Sequence, residues 1–205
     1  MTKPIVAILD PVFEDGPDLE QAVWGDMVEA RVWRPTHRPG EQVPDAFLAD
    51  ADVVMNGRSR HRIDARTVAA MGKARLVVQI GVGFNHIDVG ACAARGIGVC
   101  NTPDYGTREV ADHAIALVLT LARGTAAFDT RLKDRPEAWS TRDLDLPPIR
   151  RLKGLVFGVV GLGRIGLAAA NRAKAFEFDV AFHDPYLSPG SEFAVGFRRH
   201  RTLAG

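Results

Sequence analysis

The chain has 205 residues, 46% of them hydrophobic, with 26 Lys and Arg against 25 Asp and Glu and a formal net charge of +1. Such a length allows one or two domains with a substantial core, and the even charge balance offers no basic face for nucleic acid. The two cysteines, Cys92 and Cys100, form neither a disulfide framework nor a metal-ligand spacing, so a reducing, cytoplasmic setting is expected and no metal site is assigned.

Met1 to Pro4 lead directly into the apolar run Ile5-Val6-Ala7-Ile8-Leu9, too short for a signal peptide. No apolar segment approaches the length of a bilayer span, and a soluble protein is expected. Strands are predicted at 5–9, 28–33, 53–55, 76–81 and 98–100, with helical stretches at 18–24, 44–49, 65–74 and 89–95 between them. Alternation of this kind, with short connections, predicts a parallel sheet covered on both faces. Arg58 and Arg60 follow the third strand at its C-terminal end, where ligands bind in such sheets, although the reading as surface arginines is favoured. Asp88 is expected to cap the helix that follows it.

The stretch 107–123 differs in being apolar nearly all round: Val110, Ala111, Ala114, Ile115, Leu117, Val118, Leu119 and Leu121. Thr107 is placed to cap it, Glu109 and Asp112 suit the positive end of its dipole, and burial on several sides is expected. Residues 129–150, charged and holding Pro136, Pro147 and Pro148, read as a helix tail and a surface loop.

The next unit carries the most specific chemistry. An apolar run from Leu155 to Val160 meets Gly161-Leu162-Gly163-Arg164-Ile165-Gly166, then a stretch with Ile165, Ala168, Ala169, Ala173 and Phe176 at helical spacing, then the run 178–183 and Asp184. Strand, glycine turn, helix and second strand ending in an acid make up the first half of a dinucleotide-binding site. Gly161 permits the tight turn, Gly163 lets a pyrophosphate approach the backbone, and Gly166 lets the helix pack close to the strand. The helix N-terminus points unpaired N–H groups and its positive dipole end at the phosphates. Asp184 is placed to accept from ribose hydroxyls and to repel a 2′-phosphate, which favours NAD over NADP. A short third strand is expected near 195–197, and Arg198-Arg199-His200-Arg201 reads as a solvated basic edge in preference to a phosphate site.

Four motifs in order, Gly81-Val82-Gly83-Phe84-Asn85-His86-Ile87-Asp88, Gly96-Ile97-Gly98-Val99-Cys100-Asn101-Thr102-Pro103, Thr107-Arg108-Glu109-Val110-Ala111-Asp112-His113 and the glycine turn, resemble the D-isomer-specific 2-hydroxyacid dehydrogenases. Arg172-Ala173-Lys174-Ala175-Phe176 and Asp184-Pro185-Tyr186-Leu187-Ser188 are similar to the branch related to the C-terminal-binding proteins. The resemblance implies an α/β protein with a flavodoxin-like parallel-sheet substrate domain over residues 1–104. The crossing helix and the first part of a Rossmann NAD-binding domain, incomplete at its C-terminus, would take residues 105–205. It implies a cleft between the domains and a crossing helix in a homodimer interface. It also implies that the amides of Val82 and Gly83 hold the carboxylate of a small 2-hydroxy or 2-keto acid, in the manner of other amide nests, and that Thr107 lies beside the cofactor.

In that family a hydride passes between the nicotinamide and the acid's C2. A histidine, held by a glutamate, moves the hydroxyl proton, and an arginine binds the carboxylate. The resemblance places all three downstream of the glycine turn, so no catalytic residue is assigned in this chain. It is expected to be a C-terminally truncated NAD-dependent dehydrogenase, inactive alone, whose strand 155–160 becomes an open edge. The alternatives are a non-catalytic NAD-sensing, corepressor-like binding protein and a remnant that folds only by pairing with itself or another chain. Of the six histidines, His37, His61, His86, His113, His183 and His200, His86 is the least implausible stand-in for the missing one, and a structural role is favoured even there.

Overall fold

The computed structural model describes residues 2–11, 18–36, 41–58, 61–139 and 149–204. Its chain divides into two compact units, Met1–Tyr105 and Gly106–Gly205. His37, Arg60 and the Pro147-Pro148 pair lie outside the described residues.

The first unit alternates β1 (Ile5–Leu9), α1 (Asp18–Trp24), β2 (Glu29–Trp33), α2 (Asp45–Leu48), β3 (Val53–Asn56), α3 (Ala65–Ala70), β4 (Leu76–Gln79), α4 (Val89–Ala94) and β5 (Gly98–Asn101). The strands form one parallel sheet in the order β2-β1-β3-β4-β5, the flavodoxin-like arrangement. Both faces of the sheet are apolar because both are covered. Ala7, Leu9, Val54 and Val77 pack with Leu48 of α2, Val68 of α3 and Cys92 of α4 on one side. On the other side Val6, Ile8 and Met55 pack with Trp24 of α1 and with Val32 and Val78.

Local chemistry sets the helix ends. Asp64 accepts from the Thr67 amide at 2.9 Å to start α3, and Asp88 accepts from the Ala91 amide at 2.8 Å to start α4, as expected of Asp88. Helix α3 stops at Ala70, short of the expected 65–74. Met71 turns fully into the core, and Gly72 then passes so close to the Ala49 carbonyl that a Cβ would overlap it.

The second unit holds α5 (Thr107–Arg123), α6 (Thr125–Asp134), a 3-10 turn at Pro136–Trp139, β6 (Val156–Val160), α7 (Arg164–Ala175), β7 (Asp179–His183), α8 (Ser191–Val195) and β8 (Arg198–Arg199). The sheet is parallel, in the order β6-β7-β8. Phe157, Val159, Val180 and Phe182 share one face with Ala170 and Ala173 of α7 and Ile115, Val118 and Leu119 of α5.

Four expectations are corrected here. Thr107 does not cap α5: it is the first helical residue, and Gly106 takes the cap position with no side-chain hydrogen bond. Only Ala111 and Ile115 of α5 are fully buried, while Leu117 and Leu121 remain 53% and 82% exposed. The third strand falls at Arg198–Arg199, not 195–197, because Val195 ends α8, Gly196 turns with φ +68°, and Phe197 drops into the core. The buried face of α7 is Ala169, Ala170 and Ala173, with Ile165 and Phe176 on the rim at 37% and 43% exposure.

Among the described residues β6 pairs only with β7. Val156 and Val160 are 59% and 73% exposed and line a shallow depression of about 340 Å³ with Gly158, Ala181, His183 and Leu203. An exposed apolar patch of this kind favours association. Val160→Lys is therefore expected to lower concentration-dependent self-association in sedimentation velocity. Its stability should stay within about 0.5 kcal/mol, as for other surface changes; unchanged association would exclude this face as its origin.

Candidate functional site

In the second unit the turn after β6 is built by contacts that glycine alone allows. Gly161 sits at φ +88° and donates its amide to the His183 carbonyl at 2.8 Å, which ties the ends of β6 and β7 together. A Cβ on Gly166 would overlap the Gly161 carbonyl oxygen and lie 3.1 Å from Val159 Cγ1, so the close seat of α7 on the strand requires glycine there. Gly163 is different. Its φ of −74° suits any residue, and a Cβ there would meet nothing within 4 Å.

Asp184 faces this turn. Its Oδ2 accepts from the Leu162 amide at 2.8 Å and its Oδ1 from the Tyr186 amide at 2.9 Å. These two amides, with Arg199 nearby, hold the carboxyl below its ordinary range, so it stays ionised at neutral pH. The Leu187 amide adds to the same effect, and a carboxylate with about four acceptor sites keeps capacity beyond these amides. The amides of Gly163, Arg164 and Ile165 open α7 and have no intrahelical partner. Six positions expected in the cofactor site, 161–166, thus gather with Asp184 on one edge, while Thr107 sits at the start of α5 with no hydrogen bond to that turn among the described residues.

Val82 and Gly83 belong to the first unit, in the loop after β4. Thr102 grips the loop's start: Gly81 N donates to Thr102 Oγ1 at 2.8 Å, and Thr102 Oγ1 donates to the Gln79 carbonyl at 3.0 Å. Asn101 Nδ2 donates to the Val82 carbonyl at 2.8 Å. The amides of Val82 and Gly83 have no hydrogen-bond partner among the described residues, and a Cβ on Gly83 would meet only open space.

Beneath this loop lies a polar triangle. Asn56, with no exposure, donates through Nδ2 to Gln79 Oε1 at 2.9 Å and lies 2.8 Å from His86 Nε2, which is 2.7 Å from Gln79 Oε1. His86 is therefore a strut for the loop. Burial lowers its pKa below the ordinary imidazole value. Asn56 and Gln79 escaped the sequence reading, and their one signal is that each closes an apolar strand.

The remaining candidates are dispersed. Arg58 donates its backbone amide to the Asp10 carbonyl at 3.1 Å, His61 packs edge-on against Trp33 with ring centroids 4.5 Å apart, His113 is exposed on α5, and His183 bonds the His200 carbonyl at 3.0 Å. Among the described residues no group of His, Cys, Asp or Glu could hold a metal ion, and no single helix is long and apolar enough to cross a membrane.

A flavodoxin-like parallel sheet followed by a glycine turn, helix and acid-ended strand defines an α/β protein with the first part of a Rossmann-like unit. Residues 6–188 match the D-isomer specific 2-hydroxyacid dehydrogenase catalytic domain, and the chain belongs to that family, whose members are NAD(P)-dependent oxidoreductases. It is 36% identical over 196 residues to D-3-phosphoglycerate dehydrogenase of Mycobacterium bovis, covering 96% of this chain and 35% of that protein. Two solved relatives have the same fold. D-lactate dehydrogenase from Aquifex aeolicus, complexed with NAD and lactic acid, is 25% identical with a TM-score of 0.80, matching 96% of this chain and 56% of that one. The NADPH-dependent glyoxylate/hydroxypyruvate reductase of Sinorhizobium meliloti, in complex with citrate, is 30% identical with a TM-score of 0.77, matching 99% and 60%. The chain thus spans about a third of the curated relative's length and somewhat over half of the solved ones.

The lowered pKa of His86 fixes the sign of a pH effect. The unfolded chain takes up the imidazole proton near roughly pH 6.5 while the folded one still resists it. Stability from this group is complete above that pH and falls as pH drops below it. Urea midpoints between pH 7.5 and 5.5 are expected to decline in the parent chain and to decline less in His86→Asn. Equal slopes would assign the effect elsewhere.

Proposed function

We propose that the chain supplies the carboxylate-binding loop and the adenosine half of the cofactor site of an NAD-dependent oxidoreductase acting on the CH–OH group of a 2-hydroxy acid, or reducing the 2-keto acid. The observation that carries this is the meeting of Asp184's ionised carboxylate with the free amides of α7 across a turn whose Gly163 leaves open space. The pyrophosphate would lie against Gly163, Arg164 and Ile165, and a ribose diol would donate to the spare lone pairs of Asp184. A 2′-phosphate would meet a like charge, which supports NAD over NADP. When bound, the nicotinamide supplies the hydride acceptor or donor. The amides of Val82 and Gly83 are assigned to the substrate carboxylate, and Thr107 to the cofactor's surroundings.

We assign no proton-transfer residue among the described ones, since His86 is committed to Asn56 and Gln79. Binding without turnover is the activity proposed for these 205 residues. The exposed Val110, Leu117 and Leu121 of α5 support a homodimer. The 172–176 and 184–188 segments support the C-terminal-binding-protein-like branch as the finer placement, with a reducing, cytoplasmic setting.

Two variants separate nucleotide binding from folding. Gly163→Val, at an open position with ordinary backbone, is expected to leave the melting temperature near that of the parent and to weaken NADH binding at least tenfold by fluorescence titration. Gly166→Ala is expected to cost about 1–3 kcal/mol of stability. Unaltered NADH affinity in Gly163→Val would sink the pyrophosphate assignment.

Turnover gives an independent check. The chain is expected to show no NADH oxidation with glyoxylate, pyruvate or hydroxypyruvate above the buffer rate. Measurable turnover would refute the binding-only assignment, whereas an NADH-dependent change in oligomer size without turnover would favour the NAD-sensing, corepressor-like reading.

A further inference from the structure

Of the basic residues at 198–201, one is unlike its neighbours. Arg198 and Arg201 have side chains 53% and 72% exposed and pair with Asp179 and Glu192 at the surface, whereas the Arg199 side chain is 9% exposed. Its Nη2 donates to the carbonyl oxygens of Asp184 and Leu187, both at 2.7 Å, and its Nη1 to the Ser188 carbonyl at 3.0 Å and to Glu192 Oε2 at 3.4 Å. The guanidinium stacks 5.9 Å from the centroid of Phe182, and Glu192 is itself fixed by the Gly190 amide at 3.1 Å. A planar fork with five donors can hold three carbonyls and a carboxylate at once; an ammonium cannot span them.

The three carbonyls belong to the loop that leaves β7, and the first is that of Asp184. A series of bonds therefore runs from β8 through Arg199 to the backbone of Asp184, and from the Asp184 carboxylate to Leu162 in the glycine turn. A buried cation with mostly neutral partners is a costly way to fill space, because an apolar side chain of similar volume avoids its desolvation. Its value lies in geometry.

We propose that Arg199 is a positioning residue of the nucleotide site, clamping the 184–188 loop so that Asp184 keeps both its amide donors and presents its spare lone pairs to a ribose diol. This rests on the reading of Asp184 given under Proposed function. The clamp and that reading fail in different measurements.

Hydrogen exchange of the Leu162 and Tyr186 amides, followed without nucleotide, reads the clamp alone. Arg199→Met is expected to speed exchange at both amides at least tenfold, and Arg199→Lys, which keeps the charge and the fold, to speed it several-fold. Arg198→Met should leave both unchanged. With nucleotide, Arg199→Lys is expected to weaken NADH binding about tenfold and to narrow the preference for NADH over NADPH, a ratio that a general loss of stability would not move. Leu162 exchange at the parent rate in folded Arg199→Lys overturns the clamp. Failure of the parent chain to bind NADH overturns the nucleotide role, whatever the exchange shows.

Discussion

Every strand pair in both units is parallel, and this one constraint decides where chemistry can lie. Parallel strands all end on the same edge, so the loops that leave them gather there and the crossovers carry the helices. In the first unit the register aligns Asn56 with Gln79 and Gln79 with Asn101. Three neighbouring strands thus close on a row of carboxamides, directly under the loop that exposes Val82 and Gly83. In the second unit Val160 is aligned with His183, which sets Gly161 beside Asp184.

The two edges answer one problem differently. A row of polar groups on top of an apolar core needs partners, since unpaired buried groups are expensive. The first unit uses neutral groups: Asn56 donates to Gln79, the single His86 Nε2 lies within hydrogen-bond distance of both and serves one of them according to its tautomer, Asn56 Oδ1 stays buried without a partner, and Thr102 and Asn101 bond the loop backbone. The second unit uses a charge, with Asp184 accepting two backbone amides, and so presents an acceptor beside the donors of α7.

Legibility in the sequence follows the same division. The strands of the first unit were readable because fully buried parallel strands are continuous apolar runs: 5–9 coincides with β1, and 18–24 and 107–123 with α1 and α5. The glycine turn was readable because backbone constraints select residue types. The carboxamide row was not, because Asn and Gln after an apolar run look like the start of a loop until the register aligns them. Arg199 was hidden among Arg198, His200 and Arg201, as two-residue strands carry no periodicity. Gly106 displaced Thr107 as the cap because Thr107 already lies inside the helix, where its hydroxyl cannot reach the N2 or N3 amide.

Residues that the fold itself explains can be set apart from those it does not. Gly57, Gly72 and Gly166 each sit where a Cβ would overlap a backbone carbonyl, of Asp10, Ala49 and Gly161 respectively, so packing alone selects glycine at all three. Nothing in the chain crowds Gly83 or Gly163, and neither has the positive φ that demands glycine. Each stands in a turn beside backbone amides, one pair over a neutral platform and one set at the positive end of a helix dipole. Packing therefore does not select glycine at either place, and the anion-binding reading proposed for both turns supplies a reason that packing does not.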